Sequence, residues 1–193
     1  CYTFTTTTVN NFDHLSKDLT DAFDQITQEY QNKYLIENVP TIEKIKITRD
    51  GYKRLGKDPS HTRPACEALI RRVIKGTKLY SLGDLIDLGN ILSVKTKRSV
   101  CVVDAEKIVG DVLIRIGNEN EQIDAINRMP INVDNEGIFG SPTSDTLRTA
   151  VNEFTKKILV MVICFSKKDT DEDEQLLLDL YQNFADAKNI IKL

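Results

Sequence analysis

Apolar residues recur every three or four positions in three stretches of the first half of the chain, which predicts amphipathic helices there. In the first stretch the apolar residues are Leu15, Leu19, Phe23 and Ile26. After Pro64, which suits a first helical turn, they fall in pairs four residues apart: Ala65 and Cys66, Leu69 and Ile70, Val73 and Ile74. The third stretch, 82–96, predicts a shorter helix whose polar side carries Asp84, Asp87, Asn90 and Ser93.

From about residue 100 the pattern changes to short runs rich in β-branched residues and separated by turn residues, which predicts strands. The runs are VCVVD, DVLIRIG, INVD and KKILVMVICF, and YTFTTTTVN predicts a further strand near the start. The acidic turn KKDTDEDE then opens a last amphipathic helix, which we expect at about 171–191. Since no repeat or linker divides the chain, the pattern predicts one α+β domain over residues 1–193.

Charge is distributed unevenly along the chain. The net charge of the 193 residues is −3, yet the segment 53–78 contains eight Lys and Arg residues against two acids, so that it carries +6 and the rest −9. Such a segment is either a phosphate footprint or a solvated helix face. The candidate RNA-binding residues within it are Arg54, Lys57, Arg71 and Arg72.

Several common kinds of site lack their signatures. The cysteines Cys1, Cys66, Cys101 and Cys164 form no CxxC pair, and with only His14 and His61 no metal-ligand cluster is apparent. GxSxG and glycine-rich phosphate motifs are absent. The longest apolar run, 158–165, is far shorter than the ~20 residues that span a bilayer. We therefore expect a cytoplasmic protein with no metal, cofactor or membrane partner, whose Thr-rich start is trimmed and carries no signal peptide.

Three charged residues stand four apart along the flank of the helix after Pro64: Arg63, Glu67 and Arg71. The spacing places one carboxylate between two guanidinium groups. Three interpretations follow: a solvated ion-pair ladder of little energetic value, a network that braces the helix against the sheet, or a device that orients arginines at the rim of a cleft. A second arginine, Arg115, alternates with apolar residues in a strand, and we expect its partner to be Asp104 or Glu67.

Three longer stretches together resemble a known family. They are YKRLGKDPSHTRPACEALIRRVIKG; LYSLGDLIDLGNILSV with VVDAEKIVGDVLIRIG; and GIFGSPTSDTLRTAVNEFTKKILVMVICF. In this order they resemble the stand-alone proteins of the B3/4 domain family, over about residues 45–166. Those proteins are similar to the editing module of the phenylalanyl-tRNA synthetase beta subunit, which hydrolyses tyrosine wrongly esterified to the phenylalanine tRNA. The resemblance implies a single layered β/β/α domain and not a full tRNA synthetase.

The resemblance also implies a pocket. Asn90 matches a pocket asparagine of the synthetase module, and Gly137 and Gly140 match two glycines whose backbone lines it, although either glycine is also typical of a tight turn. Cys101 stands in place of a pocket histidine, and Met161 in place of the glutamate that recognises the tyrosine hydroxyl. We therefore expect no selection of tyrosine by its hydroxyl, and a substrate with an aliphatic or small apolar side chain.

The resulting functional hypothesis is an RNA-binding, editing-like domain that recognises a tRNA 3′ end or an aminoacyl-tRNA and hydrolyses the ester with water. The catalytic candidates are Asn90 and, as a nucleophile, Cys101, which lacks an evident base. The candidate substrate-binding residues are Asn90, Gly137, Gly140, Met161, Arg63, Glu67, Asp87 and Ser93. Asp87, Asn90 and Ser93 are equally typical of residues that cap loops. The alternative is a non-catalytic module that binds a small amino-acid-like ligand or a protein partner.

Overall fold

The computed structural model describes residues 2–6, 17–77, 82–123 and 126–193, and its helices lie where the apolar periodicity predicts them. The positions Cys1, His14 and Leu15, and Lys78 of the basic segment, lie outside the described residues. The helices are α1 (Lys17–Lys33), α2 (Glu43–Arg54), α3 (Ala65–Ile74), α4 (Asp84–Thr96) and α5 (Thr170–Ala185). Short 3₁₀ helices span Ile36–Thr41, Ala105–Lys107 and Leu147–Thr149.

The strands form antiparallel pairs in three sheets. Their bounds are β1 (Tyr2–Thr5), β2 (Val100–Asp104), β3 (Leu113–Ile116), β4 (Gln122–Ile123), β5 (Ile126–Asn127), β6 (Pro130–Asp134), β7 (Gly137–Gly140), β8 (Lys157–Val162) and β9 (Lys188–Lys192). The larger sheet has the order β2-β8-β1-β9, a second has the order β3-β6-β7, and β4 pairs with β5. Strand β2 therefore lies at one edge of the larger sheet.

Alternation along β8 separates the two faces of the larger sheet. Ile158 and Val160 pack in a core shared with the helices, whereas Leu159 and Met161 pack in a second core that includes Phe139 of the smaller sheet. Successive side chains of a strand point to opposite faces, so the larger sheet has helices on one side and the smaller sheet on the other. This arrangement confirms the predicted α+β fold with its β/β/α layers.

The C-terminal helix is shorter than predicted. It ends at Ala185, where Asp186 adopts a left-handed conformation with φ 46°, and the chain continues as β9. The helix predicted to extend to 191 is therefore wrong over its last six residues. Residues of β9 pair with β1, at the other end of the chain, with Thr3 opposite Ile191. Such distant pairing is invisible to local periodicity, which is why the helix was expected to continue.

Candidate functional site

A cleft of about 560 Å³ opens between α3, α4, the edge strand β2 and the segment 143–151. The buried and half-buried apolar residues of its lining, such as Ile86, Val102 and Val151, form its floor, and polar side chains stand among the other lining residues. The apolar lining residues are Ala65, Ala68, Leu69, Leu82, Ile86, Val100, Val102, Val103, Leu147, Ala150 and Val151; the others are Arg63, Arg72, Gly89, Asn90, Ser93, Thr143, Asp145 and Thr146. An apolar cavity with a few polar groups is the usual form of a small-molecule site.

Helix α3 presents one face to the cleft and buries another. Ala65, Ala68, Leu69 and Arg72 follow helical spacing and line the cleft. The small side chains of the two alanines leave room, while Arg72 is exposed. Cys66, Ile70 and Val73 on a neighbouring face are buried against the protein interior. The amphipathic pattern that predicted this helix therefore also fixes one wall of the cleft.

The Glu67 side chain is completely buried beside the cleft and contacts three arginines. Its Oε2 lies 2.7 Å from Arg49 Nη1, and its Oε1 lies 3.0 Å from Arg71 Nε and 3.7 Å from Arg63 Nε. The solvated-ladder interpretation is therefore wrong, because a solvated ladder requires an exposed carboxylate. Of the three arginines, Arg63 also lines the cleft, with 43% of its side chain exposed. Glu67 thus holds Arg63 at the rim.

Arg115 is not part of this network. Its guanidinium forms a two-pronged ion pair with Glu121, with the closest N···O distance 2.5 Å. The expectation that Asp104 or Glu67 is its partner is therefore wrong. Glu121 lies six residues away beyond the end of β3, so the pair is local to the β3–β4 connection and distant from the cleft.

A second carboxylate, Asp145, lines the cleft from the segment that follows β7. This segment is a turn closed by its own serines: Ser141 N donates to Ser144 O at 2.7 Å, and Ser141 Oγ accepts from the amides of Thr143 and Ser144 at 3.2 and 3.0 Å. The first amide of α3, Ala65 N, donates to Pro142 O at 3.3 Å. These bonds anchor the Asp145 loop to the helix that forms the opposite wall.

The Asp145 carboxylate contacts a thiol rather than a cation. Cys101 Sγ donates to Asp145 Oδ1 at 3.0 Å. Gly140 lies directly beneath, since a Cβ at this position would be 2.5 Å from Asp145 Oδ1, 3.1 Å from Asn132 Nδ2 and 3.4 Å from Cys101 Sγ. Within the described part of the chain, the buried Asn132 Nδ2 has no hydrogen-bond partner. Gly140 therefore leaves the space that this cluster of Cys101, Asn132 and Asp145 occupies.

The environment of Asp145 is only partly aqueous. The residue keeps exposed surface because the cleft is open, while protein atoms surround its carboxylate on the other sides. The resulting loss of hydration raises the pKa of Asp145 to about 6, and the hydrogen bond from Cys101 opposes the rise. An aspartic acid with such a pKa exchanges a proton near neutral pH, which is the property required of a general acid or base.

The edge of strand β2 runs beside the cleft. Among the described strands it pairs with β8 alone, with Cys101 opposite Met161 and Val103 opposite Leu159. The backbone hydrogen bond from Ile163 N to Ser99 O shows that Ser99 and every second residue after it, Cys101 and Val103, bond to β8. Because alternate residues of an antiparallel strand bond to the partner strand, the amide and carbonyl groups of Val100 and Val102 point toward the free edge. Both residues also line the cleft, so the edge of β2 runs beside it.

Comparison with known proteins places this cleft within a recognised domain. The sequence model of the B3/4 domain matches residues 47–177, a range that contains α3, α4, β2 and the Asp145 loop. The chain belongs to the B3/4 domain family. The resemblance seen in its motifs is thus confirmed, and the B3/4 match extends beyond the 45–166 stretch at its C-terminal end.

Two curated proteins share part of this B3/4 domain. The chain is 31% identical over 91 residues to the phenylalanine–tRNA ligase beta subunit of Bartonella quintana, and 30% identical over 91 residues to that of Bartonella henselae. Each match covers 42% of this chain and 11% of the relative. The chain thus matches only a small part of these much longer proteins.

The structure distributes the residues implied by the resemblance over two sites. Asn90, Ser93 and Arg63 line the cleft, although Ser93 Oγ donates to Arg98 O at 2.7 Å and so also fastens the end of α4. Cys101 and Met161 lie opposite each other on the face of the sheet that packs in the second core, and both are buried. The Cys101–Met161 pair therefore lies on the face of the larger sheet opposite to Val100 and Val102, which line the cleft.

The remaining predicted residues lie around these sites. Gly140 lies between Cys101 and Asp145, whereas Gly137 begins β7 directly after a turn, with φ +123°, and does not line the cleft. Asp87 is buried and accepts from Leu82 N at 3.3 Å, which secures the start of α4. Among the predicted RNA-binding residues, Arg72 lines the cleft, Arg54 is exposed, and Arg71 is bound to Glu67.

The geometry does not favour Cys101 as a nucleophile. Burial raises the pKa of the Cys101 thiol well above its ordinary value, and the neighbouring Asp145 carboxylate raises it further. Only the thiolate is nucleophilic, and no histidine is described near the thiol, since His61 is exposed and bound to Asp58. Cys101 is therefore placed to orient Asp145 rather than to attack a substrate.

Sequence reasoning missed Asp145, Asn132 and Arg49. In the stretch GIFGSPTSD the two glycines carry the resemblance. The aspartate five residues after Gly140 is the one feature of this stretch that could have indicated Asp145. Among the described residues, no group of three His, Cys, Asp or Glu side chains is arranged to hold a metal ion. Over the same residues, no helix is both long and apolar enough to cross a membrane.

Proposed function

We propose that the cleft binds the aminoacylated 3′ end of a tRNA and that the domain hydrolyses the ester bond with water. The observation that carries the proposal is the composition of the cleft in a B3/4 domain: an aliphatic floor with Arg63 and Arg72 at its rim. An aliphatic floor suits an amino-acid side chain, and guanidinium groups suit the phosphates of the RNA end. The homology to phenylalanine–tRNA ligase beta subunits supplies the tRNA context.

The floor favours a substrate with an aliphatic side chain. Ile86, Val102 and Val151 offer apolar surface without a hydroxyl or amide group in their side chains. Such a surface discriminates between similar shapes by only about 10²-fold, whereas a site that hydrogen-bonds a hydroxyl discriminates by roughly 10⁴-fold or more. Met161, which stands where the synthetase module has its tyrosine-recognising glutamate, is buried away from this floor. We therefore expect aliphatic aminoacyl esters to be preferred over tyrosyl esters.

Polar groups around the floor suit an ester carbonyl. The main-chain groups of Val100 and Val102 at the edge of β2 and the side chain of Asn90 border the same space. In this arrangement an amide donor stabilises the negative charge that develops on the carbonyl oxygen when water attacks. Asn90 orients the ester or the water, which lowers the entropic part of the barrier.

The test is a deacylation assay with a panel of aminoacyl-tRNAs that carry leucine, valine, phenylalanine or tyrosine. We expect faster release of the aliphatic amino acids than of tyrosine, over the spontaneous hydrolysis measured without protein. A strong preference for the tyrosyl ester would contradict the proposed specificity. Binding of the panel without release from any member would overturn the hydrolytic part and favour the non-catalytic binding module.

A further inference from the structure

One carboxylate in the cleft, that of Asp145, has no cation partner among the described residues. Among the described contacts, the Cys101 thiol is the hydrogen-bond donor to the Asp145 carboxylate, and it engages Oδ1. The second oxygen, Oδ2, is left for a solvent molecule or a substrate in the open cleft. By contrast, the buried carboxylates of Glu67 and Asp173 are each bound by two or more cationic side chains. Asp145 is thus held by a single neutral donor and remains accessible from the cleft, and this combination points to a chemical role.

We propose that Asp145 is the catalytic acid–base residue of this cleft and that Cys101 positions it. The proposal rests on the hydrolysis proposed above. Asp145 fills a place that Gly140 alone keeps open, at contact distance from the thiol and beside the unpartnered Asn132 amide. The same carboxylate lines the cleft together with Asn90 and the edge of β2. Proton transfer requires a carboxylate that is both held in place and accessible, and Asp145 meets both conditions.

The hydrolysis then proceeds in two balanced steps. Asp145 accepts a proton from water as the water oxygen forms a bond to the ester carbonyl carbon, which gives a tetrahedral oxyanion. The oxyanion collapses, the bond from the carbonyl carbon to the ribose oxygen breaks, and Asp145 returns its proton to that ribose oxygen. The products are a free amino acid and a tRNA with an unesterified 3′ end, and the carboxylate is regenerated. Water is the only reagent consumed.

The charged surroundings of Asp145 are defined by the elements that form the cleft. Strand β2 contributes the Cys101 thiol, α3 contributes Arg63 and Arg72, and α4 contributes the uncharged Asn90. Arg148, in the same segment as Asp145, is bound to Asp134 and Glu136. The thiol is the group in direct contact, and its hydrogen bond favours the ionised carboxylate. Removal of this donor should make Asp145 harder to ionise.

The first test measures release of tritiated leucine from leucyl-tRNA in single turnovers between about pH 5 and pH 8, with the rate without protein subtracted. We expect the protein-dependent rate to fall as the pH decreases through about 6, because Asp145 must be ionised to accept the proton. Asp145→Asn should lose about 10²–10⁴-fold in rate, while the exposed Asp111→Asn should not. Retained tRNA binding, and a melting temperature of Asp145→Asn at neutral pH no lower than that of the original protein, would show that the loss is chemical.

The second test addresses the thiol. Cys101→Ala should move the fall in rate to higher pH, whereas Cys101→Ser, which keeps a donor, should restore the original profile. A merely structural role of Cys101 would change the rate without moving the profile. Full activity of Asp145→Asn would overturn the role of Asp145 and leave the hydrolytic function intact. Absence of release by the unchanged protein from every aminoacyl-tRNA tested would overturn the hydrolytic function and this proposal together.

Discussion

Two carboxylates beside the same cleft are held in opposite ways. Glu67 on α3 is completely buried and contacts Arg49, Arg63 and Arg71, with the closest N···O distance 2.7 Å. Asp145, in the loop after β7, contacts the uncharged thiol of Cys101, and partial burial raises its pKa to about 6. The first environment compensates a negative charge with several cations, while the second leaves the charge uncompensated and able to change with pH.

Beside this one cleft, the contacts of Glu67 indicate a structural role, whereas those of Asp145 indicate a chemical one. Glu67 fixes α3 to α2 through Arg49 and holds Arg63 at the rim, so its contribution is to stability and to the position of a binding group. Asp145 contributes little that a neutral side chain of the same shape would not, apart from its ability to exchange a proton. Substitutions at the two positions should therefore have different consequences, and the following variants test the difference in order of expected effect.

The largest effect is expected for Glu67→Gln. This change keeps the shape of the side chain but leaves three arginines without their shared carboxylate, and breaking a buried ion pair from one side costs about 3–5 kcal/mol. Urea unfolding would measure the loss. The matched control is Glu153→Gln, at an exposed position, which should stay within about 0.5 kcal/mol of the original protein. Equal small losses in both variants would show that the Glu67 network is not a stabilising feature.

A smaller loss of stability is expected for Gly140→Ala. The added Cβ would lie 2.5 Å from Asp145 Oδ1, and overpacking of this kind typically lowers the free energy of unfolding by about 1–3 kcal/mol. Gly137→Ala is the matched control, because its cost is backbone strain at φ +123°, and no atom of the described residues lies within 4 Å of the new Cβ. Only Gly140→Ala should displace Asp145 and so reduce release of the amino acid. Equal release by the two variants would contradict the account of Gly140.

The stability of Asp145→Asn relative to the original protein should depend on pH. The folded-state pKa of Asp145 is raised to about 6 from an ordinary value of 3.8, so protonation stabilises the fold. This stabilisation is complete below about pH 4 and is lost as the pH rises through about 6. Unfolding free energies measured by urea between about pH 4 and pH 7 should therefore favour the original protein increasingly toward low pH. A difference that is constant, or that grows toward neutral pH, would contradict the shifted pKa.

The smallest effect is expected for Arg72→Ala on tRNA affinity. Arg72 lies at the rim with no contact to Glu67, so its loss should weaken binding without destabilising the network. If Arg72 binds one phosphate, the slope of log affinity against log salt should become less steep by roughly 0.7–1. Filter binding at several salt concentrations would measure it, with the exposed Lys46→Ala as control. An unchanged slope would remove Arg72 from the RNA-binding surface.

Much of the fold was accessible from the sequence because its helices and strands carry local periodicity. The pairs of apolar residues after Pro64 predicted α3, and the runs of β-branched residues predicted β2 and β8. The end of α5 was not accessible, because it depends on the pairing of β9 with β1 at the opposite end of the chain. The local pattern of apolar residues shows which face of a helix or strand is apolar, but it does not show which distant element packs against that face.

The same difference between local pattern and distant contact decides which residues of the candidate site could be predicted. Asn90 and Arg63 were identified because motif and helical spacing mark them. Arg49 and Asp145 were missed because their roles arise from contacts across 18 and 44 residues, with Glu67 and Cys101 respectively. The burial that raises the pKa of Asp145 is likewise a property of the assembled cleft and not of the stretch SPTSD.

The most direct test of the cleft itself uses a ligand that cannot be hydrolysed. An adenosine that carries leucine through an amide bond at its 3′ position would be titrated into protein with isotopically labelled Ile and Val methyl groups, and the methyl NMR shifts followed. The account predicts saturable shifts at Ile86 and Val102, which line the cleft, and none at Ile114, an exposed residue of β3 distant from it. Shifts at Ile114 without shifts at Ile86 and Val102, or no shifts at millimolar ligand, would contradict the proposal that this cleft binds an aminoacylated RNA end.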